Sequence, residues 1–356
     1  MKIAIYSPYL DTLGGGEKYM LTIAEILSFN NEVDFLLGTH LYNLGVAKIT
    51  ERVKRLHGLN LSKVNFVKSP IGVGSSFLQR LFFLKNYDWL FYLTDGSIFL
   101  STAKNNIVHF QVPFENTGAK GIIGRIKLSS WKMAIYNSHF TKNIVEKSWP
   151  ISGSVIYPPV SVDFFIPGKK KKQILSVGRF FGYLKDKKHS LLIDSFKRLV
   201  DIKNIAGWSL YLAGGAGEGD KEYVDQLKQQ AKGYPIYFYP NATLAQLKKL
   251  YAGSSIYWHA AGFAESDPKR LEHFGITTVE AMSAGAVPVV INSGGQKEIV
   301  GHQKSGFLWN TKSDLENYTM RLIRDSNLRQ RLSKNAAKRS KIFSKDHFCK
   351  KIYSIL

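Results

Sequence analysis

Residues 2–27 read KIAIYSPYLDTLGGGEKYMLTIAEIL, and residues 173–200 read QILSVGRFFGYLKDKKHSLLIDSFKRLV. Each begins with a short apolar run, passes through a glycine-containing turn and enters a segment whose apolar residues recur at helical spacing. In the first, Tyr19, Ile23, Ile26 and Leu27 share a face; in the second, Leu192, Ser195, Phe196 and Leu199 do. Both stretches open a strand–turn–helix unit, so the chain starts the same architecture twice.

Further strand-like runs follow each opening. They are Val33–Leu37, Val64–Val67, Trp89–Leu93 and Ile107–Phe110, then Ser209–Ala213, Ile236–Tyr239, Ile256–His259 and Val287–Ile291. Helical patterns separate most of them, which predicts parallel sheets covered on both faces and two doubly wound α/β domains. The linker candidate is Tyr157–Lys172, whose prolines 158, 159 and 167, Gly168 and four lysines suit neither helix nor strand. The expected organisation is a Rossmann-like domain over 1–167, a second over 168–338, and a terminal helix in 339–356 crossing back to the first. Ligands of open α/β sheets bind beyond the carboxyl ends of the strands, so the chemistry is expected in the turns after strands, facing a deep cleft.

Composition narrows the function classes. The 356 residues exceed one comfortable core, and 44% hydrophobic with 21% charged residues is ordinary for a globular protein. Apolar runs such as Ala286–Ile291 fall far short of the roughly 20 residues of a membrane span. The start lacks a leader-like pattern, and the single cysteine, Cys349, excludes an internal disulfide; both predict a cytoplasmic protein. The net charge of +22 divides into 17 basic against 11 acidic residues before Gly168 (+6) and 32 against 16 from there on (+16). Such an excess favours an anionic partner: lipid head groups, nucleic acid or a phosphorylated acceptor. Solvated helix faces are the competing explanation. Residues 72–86, GVGSSFLQRLFFLKN, mix apolar and basic side chains and suit either an amphipathic helix on a bilayer surface or core packing.

The chemistry concentrates in residues 272–300, EHFGITTVEAMSAGAVPVVINSGGQKEIV. Gly275 and the β-branched run after it suggest a loop entering a helix, with Glu272 on the loop and Glu280 within the helix. A helix beginning near Gly275 offers its free N–H groups and dipole to a phosphate. A carboxylate one or two turns in can accept hydrogen bonds from a ribose diol. Amides for a diphosphate, one acid for ribose and one for hexose hydroxyls would suit a nucleotide sugar.

This phrase resembles the E-x7-E signature of glycosyltransferase family 4, retaining transferases of the GT-B fold, and is similar to that of the asparagine-linked-glycosylation mannosyltransferases. The resemblance implies that Glu272 faces the donor sugar, that Glu280 binds the ribose, and that backbone N–H groups of Phe274, Gly275, Ile276 and Thr277 meet hexose and phosphate. Residues 176–196, SVGRFFGYLKDKKHSLLIDSF, are similar to the family's arginine–lysine segment. By that likeness Arg179 and Lys187 reach the diphosphate and stabilise the departing nucleoside diphosphate. Lys188 takes the role if the register moves by one, and the gap from arginine to lysine is longer here than in the family. The turn holding Gly14, Gly15 and Gly16 matches a loop that contacts the donor diphosphate, since glycines let backbone amides approach closely. His109, in VHFQVP, matches a histidine that contacts the reacting sugar. Gly214, Gly215 and Asn241 would border the base pocket, residues 72–84 would shape acceptor choice, and Ser138 and Thr141 read as helix-capping residues.

No HExxH or DxD pattern occurs, so no metal and no cofactor are expected, cations and helix amides taking the metal's place. The resemblance then implies retaining, metal-independent transfer of a hexose from GDP-mannose or a UDP-hexose to a saccharide or lipid-linked saccharide. It also implies a front-face mechanism, in which the leaving phosphate helps deprotonate the acceptor. The basic charge adds an expected peripheral contact with the inner face of an anionic membrane. Competing readings keep the fold with a nucleic-acid acceptor, for which no zinc or RNP-like motif speaks, or with a sugar-nucleotide epimerase or binding protein.

Overall fold

A computed structural model describes residues 1–72, 75–116 and 119–356. The chain divides into two units, Met1–Pro159 with Phe348–Leu356, and Val160–His347. The break falls a few residues before the expected 167/168 boundary.

The amino-terminal unit carries β1 (Lys2–Tyr6), β2 (Glu32–Leu37), β3 (Val64–Lys68), β4 (Trp89–Leu93), β5 (Asn105–Phe110), β6 (Met133–Tyr136) and β7 (Gly153–Val155). They lie in the order β3-β2-β1-β4-β5-β6-β7 with every neighbouring pair parallel. Side-chain alternation explains why these strands read as unbroken apolar runs: Ile3 and Ile5 of β1 enter one core while Ala4 and Tyr6 enter the other. The first core takes the Gly15–Leu27 helix, whose Tyr19, Ile23, Ile26 and Leu27 are all buried as their spacing predicts. The chain end returns to this core. Phe348 and Ile352, in the Lys345–Tyr353 helix, are buried there; Phe348 meets Tyr19 edge-on at 4.8 Å, and the Tyr353 hydroxyl donates to the Ile26 carbonyl.

The carboxyl-terminal unit carries β8 (Lys171–Val177), β9 (Ser209–Gly214), β10 (Ile236–Pro240), β11 (Ser254–His259), β12 (Val287–Ile291) and β13 (Phe307–Trp309), ordered β10-β9-β8-β11-β12-β13 and again parallel. Strand order reverses between β1 and β4 in one unit and between β8 and β11 in the other. These switch points are where open α/β sheets leave a crevice at their carboxyl edge.

Three strands, β6, β7 and β13, lie beyond those expected; each is three or four residues long, too short for an alternation pattern to register. The expected linker 157–172 also proves partly regular, since Lys171 and Lys172 begin β8 with exposed side chains while Gln173–Ser176 are buried. Ser138 caps the His139–Val145 helix by accepting from the Thr141 amide at 3.0 Å, while Thr141 sits inside that helix. Among the described residues no helix is long and apolar enough to cross a membrane.

The buried Phe348 ring ties the chain end to the first core. Phe348→Ala should therefore cost about 3–5 kcal/mol, read as a lower urea midpoint by circular dichroism. An unchanged midpoint would mean that the terminal helix is loosely held.

Candidate functional site

In the carboxyl-terminal unit the carboxyl ends of β8, β9, β11 and β12 bring their following turns together. Gly178 and Arg179 follow β8, and the loop through Lys188 is fixed from both sides. The buried ring of Phe180 stacks on His189 at 4.5 Å, and the Phe180 amide donates to the Gly215 carbonyl. Lys185 and Lys188 both adopt left-handed backbone conformations, with φ of 48° and 55°, which fold the loop back on itself. The Lys187 stem then crosses over Gly178, where a Cβ would stand 2.8 Å from Lys187 Cγ. Gly214, ending β9, is needed for the same reason, because its Cβ would strike the Gly178 carbonyl. Asn241 turns beside it, donating its amide to the Gly214 carbonyl at 2.7 Å and holding Ala216 through its side chain.

Lys187 Nζ reaches Glu272 Oε2 at 2.9 Å, and His259, the last residue of β11, places Nε2 3.1 Å from the same oxygen. Burial would push the Glu272 carboxyl up, but Lys187 and His259 overcome it and hold the acid well below the usual carboxylate range. Burial likewise pulls Lys187 down, and the charges of Glu272 and Asp186 carry it above its ordinary value. The backbone that presents Glu272 lies against the turn after β12: Gly295 donates its amide to the Glu272 carbonyl at 2.8 Å, and a Cβ on Gly294 would collide with that carbonyl.

Gly275 follows with φ 120°, a conformation L side chains rarely adopt, and caps the Ile276–Ser283 helix. The β-branched residues Ile276–Val279 therefore lie inside the helix. The N–H groups of Ile276 and Thr277 are among those for which a first turn has no intrahelical acceptor. The side chains of Ile276, Thr277 and Glu280 are partly exposed on this helix, whereas Phe274 is buried, its ring edge-on to Phe343 at 5.5 Å. Tyr251 donates its hydroxyl to Glu280 Oε2 at 2.8 Å, and Tyr257 donates to Thr277 Oγ1 at 2.8 Å.

Arg179 and Lys187 thus stand on one loop, close enough for the arginine's charge to act on the lysine. Lys187 is paired with Glu272 and Asp186, whereas the Arg179 guanidinium is exposed, lies over the Phe181 ring at 5.0 Å, and has no carboxylate within ion-pair distance among the described residues. An unpaired, exposed cation attracts an anion. Lys188, the alternative to Lys187, is committed elsewhere: its Nζ pairs with Glu265, which also takes Arg270. That carboxylate lies in the loop before Glu272.

His259, Tyr251 and Gln296 escaped the sequence reading. His259 ends a strand that was legible, and its place in the turn-bearing edge was the available signal. Gln296, in the GGQKE phrase, is fully buried, neither of its amide atoms has a hydrogen-bond partner among the described residues, and its nitrogen lies where a Cβ on Gly275 would collide. An unsatisfied buried amide beside a helix start is the kind of group that a ligand or water completes.

The amino-terminal unit gathers a second cluster at its own switch point. His109 ends on β5 but is buried, with Nδ1 3.1 Å from the Ile135 carbonyl, Nε2 3.0 Å from Gln111 Oε1, and its ring stacked on Tyr19 at 3.9 Å. Burial lowers it to about 4, so it is neutral at physiological pH. Contact with a sugar would require Gln111 to give way. The glycine turn is also partly occupied: Gly14 donates its amide to Glu17 Oε2 at 2.8 Å, so the carboxylate already caps the helix that starts at Gly15. A Cβ on Gly16 would stand 3.1 Å from Leu93 Cδ2 and 3.4 Å from Gln111 Cγ. Residues 73 and 74 of the segment assigned to acceptor choice lie outside the described residues.

Known proteins share parts of this sequence and this fold. Residues 163–339 match the family model of glycosyl transferases group 1. The Dictyostelium discoideum GDP-Man:Man(3)GlcNAc(2)-PP-Dol alpha-1,2-mannosyltransferase is 28% identical over 239 residues, 61% of this chain and 45% of that protein. The Homo sapiens protein of the same name is 30% identical over 215 residues, 54% of this chain and 41% of its own. The chain thus spans less than half the length of these relatives. Among solved structures, Anabaena HepE in complex with UDP superposes with a TM-score of 0.73 at 17% identity, covering 100% of this chain and 99% of that one. A glycosyltransferase from Rickettsia africae gives 0.72 at 16%, covering 99% and 97%. The fold is GT-B, two Rossmann-like domains in one chain.

The depressed Glu272 carboxyl has a consequence with a definite sign. Its contribution to stability is complete above the ordinary carboxylate pKa of about 4.3 and fades as pH falls below that value. Wild type should therefore be more stable than Glu272→Gln at pH 7, and thermal melts should show that advantage shrinking toward pH 3. A constant difference across this range would contradict the ion pair.

Proposed function

We propose that the protein is a retaining glycosyltransferase that moves a hexose from a nucleotide-diphosphate sugar to a saccharide or lipid-linked saccharide. The observation that carries this reading is the carboxyl edge of the second unit, where Lys187 pairs with Glu272, the exposed Arg179 acts on Lys187 from the same loop, and the Ile276–Ser283 helix starts four residues after Glu272. A pyrophosphate carries the charge and oxygens such an edge can hold. In transfer, the bond from the anomeric carbon to the β-phosphate oxygen breaks, and negative charge builds on that oxygen. Arg179 and Lys187 stabilise it without a metal, because fixed cations aimed at developing charge lower the barrier. Glu272, already ionised, orients the hexose through its hydroxyls and is held in place by Lys187 and His259. Glu280, steadied by Tyr251, accepts from the ribose diol.

The family 4 assignment and the E-x7-E roles of Glu272 and Glu280 belong to this proposal. GDP-mannose is the first donor to try, given the names of the relatives that the chain resembles. In the front-face course, the acceptor hydroxyl attacks the anomeric carbon from the side the phosphate leaves, and its proton passes to a phosphate oxygen. Retention of configuration then needs no carboxylate nucleophile.

The direct test is nucleoside diphosphate release from GDP-mannose and UDP-hexoses with a pyrophosphate-linked saccharide acceptor. Arg179→Ala should lower kcat/KM by about 10²–10³-fold, Glu272→Ala should abolish acceptor-dependent release, and EDTA should leave the wild type unaffected. Product with inverted anomeric configuration, or wild-type activity in either variant, would overturn the reading.

A further inference from the structure

The basic excess lies mainly in residues 168–356, but the large exposed apolar side chains cluster elsewhere. In the amino-terminal unit, the Phe77–Leu84 helix exposes Phe77 (50%), Leu78 (62%) and Phe82 (73%), and the Gly121–Ser129 helix exposes Ile122 (79%), Ile123 (71%) and Ile126 (54%). The two helices repeat one pattern: a pair of adjacent apolar residues in the first turn and another one turn on. Inward, each is anchored by few residues, Leu84 in one and Gly124 and Leu128 in the other.

Both helices attach to the same connection. Thr102 donates its hydroxyl to the Leu81 carbonyl, Ser101 donates its amide to Ser130 Oγ, and Trp131 donates Nε1 to the Phe99 carbonyl. Leu84, Phe99, Leu128 and Trp131 share one core on one face of the sheet. Each helix follows one parallel strand and feeds the next, so it starts near the sheet's carboxyl edge and runs back along the face. The exposed first-turn pairs therefore lie toward the edge that carries Gly16, Gln111 and the end of β5.

Within both helical segments the charge is all of one sign. Lys85, Lys120, Arg125 and Lys127 have no carboxylate within ion-pair distance among the described residues, and no acid occurs in residues 75–86 or 119–132. Half-buried Arg80 lies between the Phe77 and Phe99 rings, at 5.6 and 5.2 Å. A surface that presents isoleucine and phenylalanine amid uncompensated cations matches the acyl boundary and head groups of an anionic bilayer, rather than water.

We infer that the Phe77–Leu84 and Gly121–Ser129 helices together dock the amino-terminal unit on an anionic lipid surface, with Ile122, Ile123, Ile126, Phe77, Leu78 and Phe82 entering the acyl boundary. The inference adds a partner to the transferase reading and rests on it only for what the docked protein meets, a lipid-linked acceptor. It also moves the membrane contact away from the charged carboxyl-terminal half to the amino-terminal unit.

Flotation of the full chain with phosphatidylglycerol–phosphatidylcholine vesicles tests it. Wild type should float at low salt, float less at high salt, and stay behind with pure phosphatidylcholine. Ile122→Asp with Ile126→Asp should reduce the bound fraction about ten-fold, while Ile122→Leu with Ile126→Leu floats like wild type. Lys120→Gln with Arg125→Gln should weaken binding to the anionic vesicles alone. Thermal shift by nucleotide sugars should be the same in all these proteins; its loss everywhere would count against the transferase reading and not against the docking surface. Wild type that fails to float, or an aspartate variant that floats unchanged, overturns the proposal. So does a wild-type dimer in sedimentation that the aspartate pair dissolves, because the covering partner is then a second copy.

Discussion

The carboxyl-terminal unit is organised around one half-buried charge, the Glu272 carboxylate held between Lys187 and His259. A carboxylate in such a place must be paired or else take up a proton, and the pairing makes heavy demands on its surroundings. Lys187 can arrive only across Gly178, on a loop closed by two left-handed residues. The Glu272 backbone can sit where it does only because Gly294 has no side chain. His259 must end β11 at the right register. Strand order, turn glycines and the ion pair therefore specify one another.

From that arrangement the electrostatics of the edge follow. With Lys187 balanced by two acids, Arg179 remains as exposed positive charge, and the capped start of the Ile276–Ser283 helix adds its partial charge in the same unit. The edge thus presents positive charge, while the Glu272 carboxyl stays ionised. The amino-terminal unit has the opposite character at its own switch point. Glu17 occupies the start of the first helix, and His109 is neutral and enclosed, so this edge suits a neutral ligand better than a phosphate.

Much of this was legible in the sequence because it rests on local pattern. Two strand–turn–helix openings gave two Rossmann-like units, and the phrase from Glu272 to Val300 placed one acid on a loop and the other in a helix. What escaped depends on contacts between residues remote in the chain. Nothing local separates Lys187 from Lys188; only the folded chain shows that the first pairs with Glu272 and the second with Glu265. His259 and Tyr251 matter through partners 13 and 29 residues away. The run of lysines at 169–172 suggested a linker, although its last two residues open β8. Strands β6, β7 and β13 are too short to show a period and form because neighbouring strands are already in place.

The account stands on the claim that an anion is gripped by Arg179 and Lys187 at the carboxyl edge of the second sheet. Calorimetric titration with a nucleoside diphosphate measures this without any acceptor or turnover. Affinity should fall at least about ten-fold in Arg179→Ala, as loss of a charge-assisted contact requires, and should weaken with salt in the wild type more than in the variant. Equal affinity and equal salt dependence in the two proteins would contradict it.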